Sequence, residues 1–190
     1  MKKEIITIAG DLGSGKSTTA DLVSQKLKYE RFSSGSLARE MAEKRGITIG
    51  EMNRLAETNL EIDHEIDTTI KRIGKEQEKL VIDSRTAWHW IPDSFKVYLT
   101  LPPEYAAERI FNSLHTKASD RTKTEHASSL DEVRKSTLSR SESERKRFAQ
   151  RYGIDSFDTS QFDIVIETET NSPEQVAEKV IQEYTKWRHL

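Results

Sequence analysis

Five short runs of apolar and β-branched residues are spread along the 190-residue chain, and they predict five strands. The runs lie at residues 4–9, 29–32, 79–83, 96–101 and 162–166. Between them, apolar residues recur at intervals of three and four, which places one face of an α-helix against a core. Strands that alternate with helices predict a five-stranded parallel sheet with helices on both faces and ligands at the carboxyl ends of its strands. We therefore expect a single α/β domain over residues 1–190.

A glycine-rich turn follows the first predicted strand and fits the phosphate-binding pattern G-x-x-x-x-G-K-[ST] at every defined position. Its residues are Gly10, Asp11, Leu12, Gly13, Ser14, Gly15, Lys16 and Ser17. Because a helix is predicted from Lys16 onward, the N–H groups of the turn and the positive end of that helix should surround an anion. We expect Lys16 to bind the outer phosphates of a nucleotide and the Ser17 hydroxyl to coordinate Mg²⁺. Thr18 and Arg109 are also predicted to bind the nucleotide.

The interval between the second and third predicted strands contains three predicted helices. In a kinase with a phosphate-binding loop (P-loop), this interval holds an insert that covers the phosphate acceptor, and we place it at residues 36–76. Residues 113–129 contain almost no apolar side chains but hold three cations, so a mobile loop or lid is predicted within a lid region at 113–150. A long polar helix is predicted from residue 130 to 152.

The overall charge does not favour a polyanionic partner, because 30 basic and 32 acidic residues leave a net charge of −2. The absence of cysteine excludes disulfides and thiolate metal ligands. No run is apolar for long enough to cross a bilayer, and the first residues have no signal-peptide profile. We therefore expect a cytoplasmic protein without a membrane or nucleic-acid partner, and the oligomeric state remains open.

Three side chains near the predicted strand ends suit phosphoryl transfer. Asp83 ends the third strand, where a carboxylate can hold a water of the Mg²⁺ shell or orient the acceptor. Arg39 and Arg85 could each bind a phosphate through two N–H groups. Taken alone, Asp83 also fits an ordinary turn residue and both arginines fit surface positions.

The long polar helix places four charged residues on one stripe, at positions i, i+4, i+7 and i+11. They are Arg140, Glu144, Arg147 and Arg151. The stripe fits either a solvated face with ion pairs or a surface that closes over bound phosphates. Asp63 and Asp67 form a second pair on the helix of the insert, and solvation is the expectation unless a cation or donor meets them. The cluster at residues 88–90 suits either a base pocket or packing beneath the insert.

Four segments together resemble the short-form cytidylate kinases over nearly the whole chain. They are residues 8–17, Ser34-Gly35-Ser36-Leu37-Ala38-Arg39, Glu61-Ile62-Asp63-His64-Glu65-Ile66-Asp67 and Tyr152-Gly153-Ile154-Asp155. The resemblance implies transfer of the γ-phosphoryl group of ATP to CMP or dCMP with Mg²⁺. It implies acceptor-phosphate contacts at Arg39, Arg85 and Arg147, and ribose or lid contacts at Arg140 and Glu144. Ser34, Gly35, Asp63 and Asp83 are further candidate acceptor contacts.

One departure from this family leaves the acceptor base open. Related cytidylate kinases often show Asp-Gly-Arg-Asp after the third strand, whereas this chain has Asp83-Ser84-Arg85-Thr86 and lacks the second carboxylate, which can help to read cytosine. Three alternatives therefore remain: a kinase of another small acceptor, a nucleotide-dependent RNA-binding regulator that uses the charged stripe, and a structural P-loop protein. The intact Lys16 and Ser17 disfavour the third.

Overall fold

The computed structural model describes residues 2–114, 127 and 129–189. Its strands form one sheet in the order β2-β3-β1-β4-β5, and every neighbouring pair is parallel. The strands are β1 (Ile5–Gly10), β2 (Glu30–Ser33), β3 (Leu80–Asp83), β4 (Phe95–Thr100) and β5 (Ile164–Glu167). All five predicted strands are thus confirmed, with ends that differ by one or two residues.

Helices connect the strands and cover both faces of the sheet. They are α1 (Lys16–Leu27), α2 (Ser34–Lys44), α3 (Ile49–Thr58), α4 (Leu60–Glu76), α5 (Ala87–Trp90), α6 (Pro103–Leu114), α7 (Leu130–Tyr152) and α8 (Pro173–His189). The predicted insert corresponds to α2, α3 and α4, and α3 begins with a capping box between Thr48 and Glu51. Helix α5 was not predicted, because its four residues are too few to show a helical period. No helix in the described ranges is long and apolar enough to cross a membrane.

The central strand β1 is buried along its whole length, as expected for a parallel strand covered on both faces. On one face, Ile6 and Ile8 pack with residues of α1 and α8, such as Val23 and Val180. On the other face, Ile5 packs with residues of α4 and α5. The insert has a separate small cluster in which Met41, Met52 and Ile62 meet. The sheet is therefore packed on both faces, and the insert has apolar contacts of its own.

The turn after β1 lies directly against β4. Gly10 has a φ of +145°, and a Cβ built on it would lie 2.2 Å from the carbonyl oxygen of Leu99. Only glycine fits this backbone position without a shift of β4. The backbone N–H of Asp11 donates to the same carbonyl at 3.0 Å, so the start of the phosphate-binding turn is fixed to the sheet.

The predicted lid falls mostly outside the described residues, since positions 115–126 and 128 are among those the structure does not describe. The remainder of the predicted region 113–150 forms the end of α6 and most of α7. Here α7 packs against α6 and against α3 of the insert. The long polar helix is therefore part of the folded body around the sheet.

Candidate active site

The P-loop lies between β1 and α1, as the sequence pattern predicts. Its lysine folds over the turn: Lys16 Nζ donates to the carbonyl oxygens of Gly10 at 2.9 Å and Asp11 at 2.5 Å. The first turn of α1 begins at Lys16, so its free N–H groups and positive dipole face the same space. The loop therefore has the geometry of an anion site.

The carboxylate of Asp11 accepts hydrogen bonds from β4 and from Leu101, the residue that follows this strand. Asp11 Oδ1 accepts from the Tyr98 hydroxyl at 2.9 Å, and Oδ2 accepts from the backbone N–H of Leu101 at 2.9 Å. Burial, together with the neighbouring Asp11, raises the pKa of Tyr98 far above its ordinary value, so the phenol keeps its proton. Asp11 thus belongs to the predicted loop, but its carboxylate accepts hydrogen bonds from two groups of the protein.

Ser17 and Asp83, the two predicted metal residues, are in direct contact. Ser17 Oγ donates to Asp83 Oδ2 at 2.6 Å, and Ser33 Oγ donates to the same oxygen at 3.2 Å. Arg31 Nη2 lies 3.8 Å from this oxygen, and its Nη1 lies 3.0 Å from Asp21 Oδ1. A hydroxyl and a carboxylate are hard oxygen donors, the chemistry that Mg²⁺ prefers.

A cavity of about 660 Å³ opens beside the phosphate loop and the first turn of α1. It is lined by the loop from Gly13 to Lys16, by Ser17 and Thr18 of α1, and by Arg109 of α6. Arg109 Nη2 donates to the carbonyl oxygen of Thr168 at 2.6 Å, which fixes the arginine at the cavity wall. Most of the predicted nucleotide residues therefore meet here, but Gly10, Asp11 and Leu12 do not line this cavity.

A second cavity, of about 120 Å³, lies between the strand ends, the insert and α7. All of the predicted acceptor residues line it: Ser34, Gly35, Arg39, Asp63, Asp83, Arg85, Arg140, Glu144 and Arg147. Lys16, Ser17 and Arg39 line both cavities, so the two spaces meet at these side chains.

The charged stripe of α7 is largely buried, so its interpretation as a solvated face is wrong. Glu144 is 4% exposed and Arg147 is 5% exposed. Glu144 pairs through Oε2 with Arg85 Nε at 2.6 Å and through Oε1 with Arg140 Nε at 2.9 Å. Burial alone would raise the pKa of Glu144, but the surrounding arginines outweigh it and lower this pKa to about 2. Glu144 is therefore an anion that holds two of the predicted phosphate-binding arginines.

The aspartates of α4 are also buried, so the expectation that they are solvated is wrong. Asp63 Oδ2 lies 2.7 Å from Arg147 Nε and 2.5 Å from Arg151 Nη1. Burial raises the pKa of Asp63, and the two arginines oppose this rise. Arg151, the last residue of the stripe, does not line the second cavity but ties α7 to the insert through Asp63 and the Ala56 carbonyl.

Asp67 has a different set of partners. Its Oδ1 accepts from Trp90 Nε1 at 2.8 Å and from Thr86 Oγ1 at 3.3 Å, and its Oδ2 accepts from the Tyr152 hydroxyl. Trp88 packs in a small cluster with Tyr98. Trp90 therefore packs against α4 of the insert, whereas Trp88 packs against the sheet, and neither lines the two cavities.

Comparisons with known proteins assign the chain to a family. Residues 5–170 match the cytidylate kinase-like family. The chain belongs to this family. It is 36% identical to a cytidylate kinase of Sulfurisphaera tokodaii over 182 residues, which cover 95% of this chain and 94% of that protein.

Two further similarities are to a longer protein and to a solved structure. The chain is 33% identical over 185 residues to an S-adenosylmethionine-dependent nucleotide dehydratase of Lacinutrix mariniflava, and the match covers 97% of this chain but only 36% of that protein. Among solved structures, a shikimate kinase from Aquifex aeolicus has a TM-score of 0.57 at 20% identity, with 98% of each chain covered. At this identity the likeness shows only the P-loop kinase fold.

Arg31 and Asn53 line the cavities but were not predicted. Arg31 lies on the edge strand and Asn53 on α3, and neither is part of a recognisable motif. Their positions follow from how the insert and β2 fold onto the sheet, which no local spacing reveals.

Proposed function

We propose that the protein is a nucleoside monophosphate kinase that transfers the γ-phosphoryl group of ATP to CMP or dCMP with Mg²⁺. The observation that carries this proposal is that Lys16, Ser17 and Arg39 border both cavities. A nucleoside triphosphate in the larger cavity would then place its last phosphate at the entrance of the smaller one. The membership of the cytidylate kinase-like family supports a cytidine nucleotide as the acceptor.

The chemistry assigned to the residues is positioning and charge stabilisation. An oxygen of the acceptor phosphate bonds to the γ-phosphorus as the bond to ADP breaks, and negative charge spreads over the transferred oxygens. Lys16 and the P-loop N–H groups would hold the donor phosphates, and Arg39, Arg85 and Arg147 would hold the acceptor phosphate. Ser17 and Asp83 would hold Mg²⁺, which neutralises phosphate charge when bound.

Arg140 and Glu144 complete the proposed acceptor site. Glu144 fixes the guanidinium groups of Arg85 and Arg140 before any substrate arrives. Arginines that are already oriented need less reorganisation when a phosphate binds, which favours transfer.

A kinase of another small acceptor is the second candidate function, and the observation that favours it is Thr86. This residue stands where related cytidylate kinases often have the second carboxylate, and its hydroxyl is bound to Asp67 at 3.3 Å.

The RNA-binding alternative requires an accessible cationic stripe. It is disfavoured because Glu144 and Arg147 are buried and paired.

A panel of acceptors tests the proposal. ADP release from ATP would be followed with CMP, dCMP, UMP, AMP, GMP, shikimate and gluconate as acceptors. We expect the highest kcat/KM with CMP and dCMP. A preference for a non-nucleotide acceptor would contradict the proposal, and hydrolysis without transfer to any acceptor would do so as well.

A further inference from the structure

The second cavity is lined by both apolar and polar side chains. Met52, Ile62, Ile66 and Phe148 contribute apolar surface, while Asp67 and Thr86 contribute polar groups. A ring with polar edges and apolar faces suits such a space, since binding pockets commonly combine apolar walls with a few placed polar groups. The base of the acceptor would therefore lie against these residues, with its phosphate at the arginines that line the same cavity.

Asp67 is the least neutralised carboxylate of this cavity. Its three partners, Thr86, Trp90 and Tyr152, are neutral hydrogen-bond donors. Asp63 differs, because Arg147 and Arg151 neutralise it. A carboxylate offers about four acceptor positions, so three donors leave Asp67 able to accept one further N–H.

Asn53 supplies the complementary group on the insert. It lines the same cavity, and its backbone carbonyl accepts from Arg147 Nη1 at 3.3 Å, which fixes the helix at this point. Its side-chain Nδ2 is buried and has no hydrogen-bond acceptor among the described residues. A buried donor without a partner is unfavourable, so a ligand that brings an acceptor to this amide is favoured.

We propose that Asp67 and Asn53 read the acceptor base, with Asp67 accepting from an exocyclic amino group and Asn53 donating to a ring nitrogen or carbonyl. The inference rests on the proposed function. It identifies the acceptor as a nucleotide with an amino-bearing pyrimidine: cytosine offers both complementary groups, while uracil places a carbonyl oxygen against the carboxylate. A site built around such a bond rejects the analogue that lacks the donor.

The test compares kcat/KM for CMP, dCMP and UMP in the wild type and in Asp67→Asn. The substitution keeps the shape of the side chain but removes its charge and one acceptor. Loss of a charge-assisted hydrogen bond should lower kcat/KM for CMP roughly tenfold to a hundredfold. UMP should lose less, so the CMP-to-UMP ratio should fall by about tenfold or more. An unchanged ratio would overturn the proposal.

Trp90→Phe is the matched control, because it removes one donor to Asp67 and leaves the carboxylate in place. If Asp67 were only structural, both variants would weaken all acceptors alike at a constant ratio. Asn53→Ala provides a second test that does not disturb the Asp67 contacts. It should raise the KM for CMP about three- to tenfold, with the KM for ATP unchanged.

An unchanged KM for CMP in Asn53→Ala would also overturn the proposal, even if Asp67→Asn does not fold. The outcomes distinguish a failure of the proposed function from a failure of the roles assigned to Asp67 and Asn53. A wild-type protein that phosphorylates no nucleoside monophosphate would refute the proposed function. A wild-type protein active on CMP, with a constant base preference in the variants, would refute only the assignment of Asp67 and Asn53.

Discussion

The Tyr98 hydroxyl donates a 2.9 Å hydrogen bond to Asp11, and this contact joins the central sheet to the P-loop. The backbone N–H of Leu101 binds the other carboxylate oxygen at 2.9 Å. The Asp11 carbonyl in turn accepts from Lys16 Nζ. The position of Lys16 therefore depends on Asp11, whose carboxylate would repel a phosphate if it were released.

We predict that Tyr98→Phe raises the KM for ATP about two- to tenfold: a hydrogen bond to a charged carboxylate contributes about 1.5 to 3 kcal/mol, but the Leu101 N–H still binds Asp11 in the variant. Tyr184→Phe is the matched control, since it removes a hydroxyl that lies 3.1 Å from the Tyr29 hydroxyl. Both variants should lose similar stability in thermal unfolding, but only Tyr98→Phe should affect ATP. Equal KM values for ATP in both variants would refute the role of this contact.

Lys16→Ala should lower kcat roughly a hundredfold to a thousandfold, because one preorganised cation at the transferred phosphate would be lost. Lys26→Ala provides the comparison on the same helix, as Lys26 is exposed and pairs only with Glu178 among the described residues. Steady-state kinetics and thermal unfolding would be measured together. The P-loop assignment fails if Lys16→Ala keeps wild-type turnover.

Ser17→Ala should weaken Mg²⁺-dependent activity more than nucleotide binding measured without metal. The reason is the 2.6 Å contact between Ser17 and Asp83, which brings two hard oxygen donors together. Ser24→Ala removes a hydroxyl from the same helix, away from both cavities, and should leave the Mg²⁺ dependence unchanged. Equal losses with and without metal would indicate a structural role for Ser17.

The strands and the P-loop could be predicted because their signals are local. A buried strand needs a continuous apolar run, and the loop needs glycine at fixed positions. The burial of Asp67 could not be predicted, since its donors Thr86, Trp90 and Tyr152 lie far along the chain. The partners of helix α7 could not be predicted for the same reason. The spacing indicated the charged stripe, but only the fold shows that Arg85 pairs with Glu144 and Asp63 with Arg147.

The arginines assigned to the acceptor phosphate can be tested by charge-conserving substitutions. Arg39→Lys and Arg85→Lys keep the charge but lose the planar pair of donors, so each should reduce kcat/KM for the acceptor about tenfold. Arg72→Lys is the control, because Arg72 lies in an exposed i,i+4 pair with Glu76. Wild-type values of KM and kcat for the acceptor in both test variants would show that these side chains do not bind it.

The buried Glu144 predicts a specific dependence of stability on pH. The pKa of Glu144 is about 2 in the folded protein, whereas the ordinary value of a glutamate carboxyl is 4.5. The folded state therefore favours the ionised form. A lowered pKa contributes stability that is fully present above pH 4.5 and is lost as the pH falls towards 2. The contribution amounts to a few kcal/mol, since one pKa unit corresponds to about 1.4 kcal/mol.

Denaturant unfolding of the wild type and Glu144→Gln at several pH values would measure this contribution. The wild type should be the more stable at neutral pH, because the variant leaves Arg85 and Arg140 without their shared anion. The difference in unfolding free energy should shrink as the pH is lowered from 4.5 towards 2. Glu178→Gln, which alters an exposed pair with Lys26, should differ little from the wild type at any pH. A Glu144→Gln difference that stays constant with pH would show that the ionised carboxylate does not stabilise the arginine cluster.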